Sequence, residues 1–111
     1  MSAQAREASA SAPVVDEYAR AVEAAEEAYN RDDYANARRY FARAHELRPS
    51  ARTWRGMGTT AFELKYYEDA VRELTFALED TRSALPPNLR AETELTLRVA
   101  RRHLADGGNP S

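Results

Sequence analysis

The feature that most constrains the fold is a pattern of helical spacing that occurs twice, 33 residues apart. The first copy consists of Tyr34, Ala37, Phe41, Ala44, Leu47 and Pro49, and the second of Tyr67, Ala70, Leu74, Ala77 and Leu78. Intervals of three and four residues predict one apolar face of a helix, and the proline ends the first copy. A period of this length that is built from helices indicates a helix-pair repeat.

Composition narrows the range of functions. The 111 residues leave room for one domain or for a piece of a longer solenoid. A formal net charge of −2 argues against bulk binding to nucleic acid or to an anionic membrane. The absence of cysteine excludes disulfides, thiolate metal sites and cysteine nucleophiles. No apolar run approaches the roughly 20 residues that span a bilayer, and residues 1–13 lack the apolar centre of a secretory signal. We therefore expect a cytoplasmic protein without nucleic-acid or membrane partners.

The basic residues are almost all arginine, with Lys65 as the only lysine. Codon usage in a GC-rich bacterial genome is one explanation. Selection for two-point recognition of carboxylate or phosphate groups is another, and the two are compatible.

The chain divides into a leader, one helical domain and a tail. Residues 1–15 are predicted to be a disordered leader, 16–106 the domain and 107–111 a flexible tail. The predicted helices are 16–31, 34–47, 51–64, 67–83 and 88–105. Asp33 and Asn88 are the expected N-caps of the second and fifth helices. Gly58 predicts a close approach of another helix, whereas Gly56 has no evident reason to be a glycine.

At this level the chain resembles the tetratricopeptide repeat (TPR) family. The second repeat, 51–84, matches the family pattern at Trp54, Met57, Gly58, Tyr67, Ala70, Leu74 and Ala77. The first repeat, 18–50, matches in its second helix, whereas its first helix has Ala21, Ala24 and Ala25 where Trp, Leu and Gly are usual. Helix 88–105 resembles the family's terminal capping helix, with Leu89, Leu95, Val99, Ala100 and Leu104 as its apolar positions. The resemblance implies an all-α, right-handed helix-pair solenoid of five antiparallel helices. An unrelated bundle with alanine-rich seams is the alternative.

The sequence contains no recognisable catalytic or metal-binding pattern. His45 and His103 are the only histidines, and neither has a second ligand at metal-binding spacing. The acidic pairs are adjacent in sequence, so their side chains point about 100° apart on a helix and do not face each other. We expect no enzyme activity, no cofactor and no metal.

In TPR proteins the first helix of each pair lines a concave groove that holds a peptide or a partner helix. Mapped onto this chain, the groove receives Val22, Glu26, Tyr29, Arg52, Arg55, Thr59, Phe62, Glu63, Leu97, Arg98 and Arg101. Val22 and Glu26 replace the Lys-Asn pair with which one subfamily binds a C-terminal carboxylate, so that clamp is absent. The predicted partner-binding residues are Tyr29, Arg52, Arg55, Phe62, Arg98 and Arg101.

The hypothesis for this groove is that Arg55, Arg98 and Arg101 hold an acidic peptide segment beside the rings of Tyr29 and Phe62. The alternative is an ordinary solvated helix face, with Arg98 paired to Glu94 one turn away.

The sequence thus predicts a protein–protein interaction module, an adaptor or scaffold that binds a peptide or a partner helix. One alternative is a self-associating module, either a homodimer or part of a longer array, that buries Tyr18, Ala21 and Ala25 against a second copy. Another is a TPR-type bacterial secretion chaperone. The partner itself is not identified by the sequence, because groove residues vary independently of the repeat pattern.

Overall fold

The computed structural model describes residues 17–107, and within that range the chain is all-α, with five helices and no strand. The helices are α1 (17–30), α2 (Tyr34–Leu47), α3 (Ala51–Glu63), α4 (Tyr67–Glu79) and α5 (Pro87–Ala105). The predicted leader and residues 108–111 of the predicted tail lie outside the described residues. The all-α prediction is confirmed, and the bounds predicted for α2 match the observed ones.

The predicted end of α4 and the predicted N-cap of α5 are wrong, and the predicted ends of α1 and α3 each lie one residue beyond the observed ones. Helix α4 ends at Glu79 rather than at residue 83, because Asp80 adopts an extended conformation and its carboxylate accepts the backbone N–H of Arg82 at 3.0 Å. The expected cap Asn88 lies inside α5, which begins at Pro87. Proline suits the first helical position because its missing N–H would have no partner there. The N-cap Asp33 is confirmed, since its carboxylate accepts the backbone N–H of Asn36 at 3.4 Å.

Contacts between the helices give their relative directions. Neighbours in sequence run antiparallel, because the start of one helix lies beside the end of the next. The contacts that show this are Glu17–Arg43 for α1 and α2, Thr53–His45 together with Met57–Arg38 for α2 and α3, Trp54–Phe76 for α3 and α4, and Tyr67–His103 for α4 and α5. Helices α3 and α5 run in the same direction, because Arg55 contacts Glu92 near their beginnings and Phe62 contacts His103 near their ends. Helix α3 packs against α2, α4 and α5 and is therefore the central helix.

Two glycines of α3 allow neighbouring side chains to approach its backbone. A Cβ on Gly58 would lie 2.7 Å from Cδ2 of Leu74 on α4, which confirms the predicted close approach. A Cβ on Gly56 would clash with the Phe41 ring of α2, so the expectation that Gly56 had no packing reason is wrong. The helix-propensity cost of about 1 kcal/mol per glycine is thus offset by packing on both sides of α3.

The core consists largely of alanine at the helix contacts. Ala21 and Ala25 of α1 are buried within the chain itself, so they are not available for the self-association surface that the sequence suggested. On α5 the buried positions are Thr93, Leu97 and Ala100. Leu95 was predicted as one of the apolar positions of this helix, but its side chain is 53% exposed. The buried positions follow one another at intervals of four and three residues, and Leu95 does not belong to that series.

A buried ion pair joins α2 to α4. Arg38 donates to both carboxylate oxygens of Glu73, at 2.7 and 2.8 Å, and Nη1 also donates to the carbonyl oxygen of Met57 on α3 at 2.8 Å. Glu73 is 2% exposed. One guanidinium therefore connects three helices in a two-point geometry that is specific to arginine.

Candidate functional site

A solvent-open pocket of about 290 Å³ lies where α1, α2 and α3 meet. We call it the α1–α3 pocket. Its lining residues are Glu26, Tyr29, Asn30, Phe41, Arg52, Arg55, Gly56 and Thr59. Three of the predicted partner-binding residues, Tyr29, Arg52 and Arg55, are thus brought together. The volume is at the small end of the range for ligand sites, so the pocket suits side chains of a bound segment better than a large cofactor.

Arg52 at the rim of the pocket is already paired. Its Nη2 lies 2.9 Å from Oε2 of Glu26 on α1, and both side chains are more than half exposed. An exposed pair of this kind is worth only about 0–1 kcal/mol. A carboxylate from another molecule could therefore replace Glu26 at small cost.

Arg55 has two side-chain partners, one more than Arg52, and both belong to α5. Its Nε donates to Oγ1 of the buried Thr93 at 3.2 Å, and its Nη2 lies 3.2 Å from Oε1 of Glu92. The Thr93 hydroxyl in turn donates to the carbonyl oxygen of Leu89 at 2.7 Å. Thr93 thus fixes the guanidinium plane from the buried side, while Glu92, whose side chain is exposed, occupies the solvent side.

Tyr29 supplies an aromatic wall and a fixed hydroxyl. The hydroxyl donates to Oε2 of Glu63 at 3.1 Å, and the ring meets Tyr34 edge-on with centroids 5.1 Å apart. Burial, together with the neighbouring Glu63 carboxylate, raises the pKa of Tyr29 to about 12. The hydroxyl therefore remains a protonated donor at neutral pH and not a base.

Other residues predicted for the groove lie elsewhere. Phe62 packs at the far end of α3, edge-on to Tyr67 at 5.8 Å and to His103 at 6.3 Å. Val22 and Leu97 are buried in the core, at 6% exposed each. None of these three lines the α1–α3 pocket, because each belongs to the face by which its helix packs against its neighbours.

Arg98 and Arg101 are exposed on α5 but face away from Arg55. Arg101 lies eleven residues after Arg90. At 100° per residue, the two side chains therefore point in directions that differ by only about 20° around the axis of α5. Arg90 Nη1 donates to the carbonyl oxygen of Leu78, which puts this side of α5 next to α4. Arg98 is about 120° around α5 from Glu92, the residue that contacts Arg55. The predicted cluster of Arg55, Arg98 and Arg101 is therefore divided between two surfaces.

Sequence reasoning missed several residues that matter here. Phe41 was treated only as a core residue, although its ring also lines the pocket. The Arg38–Glu73 pair was not foreseen, yet the sequence carried a signal. Glu73 stands between Ala70, Leu74 and Ala77 on a helical face that is otherwise apolar, and a charge there requires a buried partner.

Comparison with known proteins adds no identification. No family model, no curated protein and no solved structure matches the chain. The site must therefore be interpreted from its own geometry.

Among residues 17–107 no group of three or more His, Asp or Glu side chains is arranged to hold a metal ion. The same stretch has no helix whose length and apolar character would let it cross a membrane.

The surroundings of His45 are packed. Its Nδ1 shares a hydrogen bond with the Thr53 hydroxyl at 2.7 Å, and its ring lies against the Trp54 ring with centroids 4.2 Å apart. Burial lowers the pKa of His45. Its neighbours are thus those of a packed histidine.

Proposed function

We propose that this chain is a protein–protein interaction module that binds a segment of a partner protein in the α1–α3 pocket. The observation that carries the proposal is the grouping of two aromatic rings, Tyr29 and Phe41, with two guanidinium groups, Arg52 and Arg55, around one open pocket. Aromatic and arginine side chains are the types most enriched among energetically dominant interface residues.

The chemistry of the pocket favours a segment with an acidic side chain next to an apolar one. Ligand carboxylates would take the places of Glu26 and Glu92 on the two arginines, and an apolar side chain would rest on the rings. Charge-assisted hydrogen bonds to guanidinium are about twice as strong as neutral ones. Exchange of one exposed carboxylate for another costs little, so the gain comes from the additional contacts of the segment.

We also infer that the helices form a TPR-like right-handed solenoid of two repeats and a capping helix. Three observations support this inference: neighbouring helices are antiparallel, α3 and α5 run in the same direction, and Gly58 lets α4 approach α3 closely. A stack of helix pairs produces this alternation, because each pair buries its apolar face on the next one.

A peptide selection tests the proposed function. Random peptides displayed on phage are selected on the wild-type protein and then measured against the double variant Arg52→Glu/Arg55→Glu. We expect enriched peptides in which Asp or Glu lies next to an apolar residue, and a loss of affinity of at least about tenfold in the variant, which is about 1.4 kcal/mol. The matched control is Arg39→Glu/Arg82→Glu, which makes the same charge change at exposed positions outside the pocket.

Circular dichroism of both variants checks that each remains folded. Failure to enrich any peptide, or equal binding to the pocket variant and the wild type, would reject the proposal.

A further inference from the structure

The outer face of α5 carries a second helical stripe that points away from the core. Its residues are Ala91, Leu95, Arg98, Arg102 and Ala105, at spacings of four, three, four and three, and all five are exposed. The stripe extends over fourteen residue steps, which is about 21 Å of helix. Leu95 is the most exposed large apolar side chain among the described residues, at 53%. This spacing is the one by which a helix packs along another helix.

The arginines of this face lack ion-pair partners among residues 17–107. No carboxylate of that stretch lies within 4.0 Å of Arg98, Arg101 or Arg102, whereas Arg90 of the same helix pairs with Glu94 at 3.4 Å. The predicted pairing of Arg98 with Glu94 is therefore not formed. Three exposed cations within two turns produce a local positive field on a chain whose net charge is −2.

We propose that the outer face of α5 docks an acidic amphipathic helix of a partner protein, at a surface separate from the α1–α3 pocket. Carboxylates of that helix would pair with Arg98 and Arg102, with Arg101 at the flank. An apolar side chain would pack on Leu95, and the small side chains of Ala91 and Ala105 would let the two backbones approach at both ends. The regular spacing along 21 Å fits a helix, whereas an extended segment would present alternate side chains to opposite sides.

Charge disfavours the other obvious occupants. If two α5 helices packed antiparallel with the centres of their stripes together, Arg98 of one copy would face Arg98 of the other. If they packed parallel, every arginine of the stripe would face the same arginine of the other copy. Like charges placed opposite each other across an interface oppose association. A nucleic-acid backbone is also disfavoured, because that binding depends on a broad positive field and this chain is acidic overall.

The test uses a helical peptide of about 18 residues, slightly longer than the stripe, with Leu and Glu alternating on one face at heptad spacing. A matched peptide carries Gln in place of every Glu. Fluorescence anisotropy at low salt measures binding of both peptides to wild type, to the α5 variant Arg98→Glu/Arg102→Glu and to the matched control Arg39→Glu/Arg82→Glu, which makes the same charge change outside α5. Sedimentation of the protein alone, over a range of concentrations, measures self-association.

We expect the Glu peptide to bind the wild type and the control variant equally, to lose at least tenfold in affinity for the α5 variant, and to bind more weakly as salt rises. The Gln peptide should bind at least tenfold more weakly. Equal binding of the Glu peptide to the α5 variant and the control, equal binding of the two peptides, or no binding at all would each overturn the proposal. A concentration-dependent dimer that disappears in Arg98→Glu/Arg102→Glu would overturn it in favour of a second copy.

This surface does not depend on the proposed pocket function. The α5 variant retains Arg52 and Arg55, so it should still bind the peptides that phage selection enriches for the pocket, and the failure of either proposal can be recognised without reference to the other.

Discussion

The junction of α2, α3 and α4 and the outer face of α5 use arginine in opposite ways. Arg38 in the junction is enclosed by Glu73 and by the carbonyl oxygen of Met57, and all of its partners belong to the chain itself. Arg98 and Arg102 on α5 have exposed guanidinium groups and no ion-pair partner among the described residues. The same residue type thus stabilises the fold where its partner is buried and has an exposed guanidinium group where its surroundings are solvent.

The α1–α3 pocket lies between these two extremes. Arg52 and Arg55 have partners, but those partners, Glu26 and Glu92, are exposed carboxylates that another molecule can replace. Substitutions in the three regions should therefore have stability effects that decrease from the junction to the pocket to α5. The predictions below follow that order.

The largest effect is expected at Glu73. Glu73→Ala removes the two-point partner of the Arg38 guanidinium, which keeps the Met57 carbonyl oxygen at 2.8 Å and Asp69 at 3.7 Å. We therefore expect a loss near the lower end of the about 3–5 kcal/mol that breaking a buried pair from one side typically costs. Urea unfolding monitored by circular dichroism measures the loss. Glu79→Ala on the exposed side of the same helix is the control and should change the free energy of unfolding by less than about 0.5 kcal/mol. Equal effects at both positions would remove the distinction between the junction and the surface.

The close approach of α3 and α4 should respond to Gly58→Ala. The new methyl group would meet Leu74 Cδ2 at 2.7 Å and the Leu74 backbone nitrogen at 3.0 Å, and the backbone contact cannot move aside as a side chain can. We expect a net loss of about 1–3 kcal/mol, typical of overpacking. Thermal unfolding checks the sign, because an open site would instead become more stable through the better helix propensity of alanine.

A smaller effect is expected in the pocket. Arg52→Ala should lower the free energy of unfolding by no more than about 1 kcal/mol, because it removes only an exposed pair with Glu26. Urea unfolding at low and at high salt measures this contribution, which should shrink as salt screens the pair. A loss as large as that of Glu73→Ala would show that the pocket arginines are structural and not exchangeable.

Titration of His45 should make stability depend on pH. Burial lowers the pKa of His45 in the folded protein, while the unfolded chain has the ordinary value near 6.5. As the pH falls through about 6.5 towards the folded pKa, the unfolded state binds the proton more readily, so the free energy of unfolding decreases. Above that range the contribution is fully present. His45→Gln should flatten this part of the stability–pH curve, and an unchanged slope would contradict the assignment.

The smallest effect on stability is expected on α5. Arg98→Glu/Arg102→Glu replaces exposed side chains without ion-pair partners among residues 17–107, so the free energy of unfolding should change by less than about 1 kcal/mol for the two together. The same urea titration provides the measurement. A large destabilisation would mean that these arginines support the helix and not a partner.

Much of the fold could be predicted from the sequence, because the apolar residues whose spacing predicts the helices are also the residues that pack between them. The bounds of α2, the cap at Asp33 and the approach at Gly58 all follow from local patterns. The error in α5 arose because its apolar residues lie on two different faces of the helix. Leu95 and Leu97 are both apolar and only two residues apart, and the packing of α4 against α5 decides which one is buried.

The site was predictable only in part. Tyr29, Arg52 and Arg55, which the sequence analysis grouped by their positions in the TPR pattern, do line one pocket. The addition of Arg98 and Arg101 failed, because the rotation of α5 about its axis cannot be read from spacing within α5 alone. The partners Glu92 and Thr93, which hold Arg55, depend on that same rotation.

The most direct test of this account is the set of amide chemical-shift changes in the ¹⁵N-labelled protein as the acidic helical peptide is added. The account predicts changes around Leu95, Arg98 and Arg102 on the outer face of α5 that saturate with one affinity, while any changes at Tyr29 and Arg52 in the pocket saturate with a separate affinity. Changes that appear together at Arg52, Arg55 and Arg98 with one shared affinity would contradict it. They would mean that the pocket and α5 form one continuous binding surface.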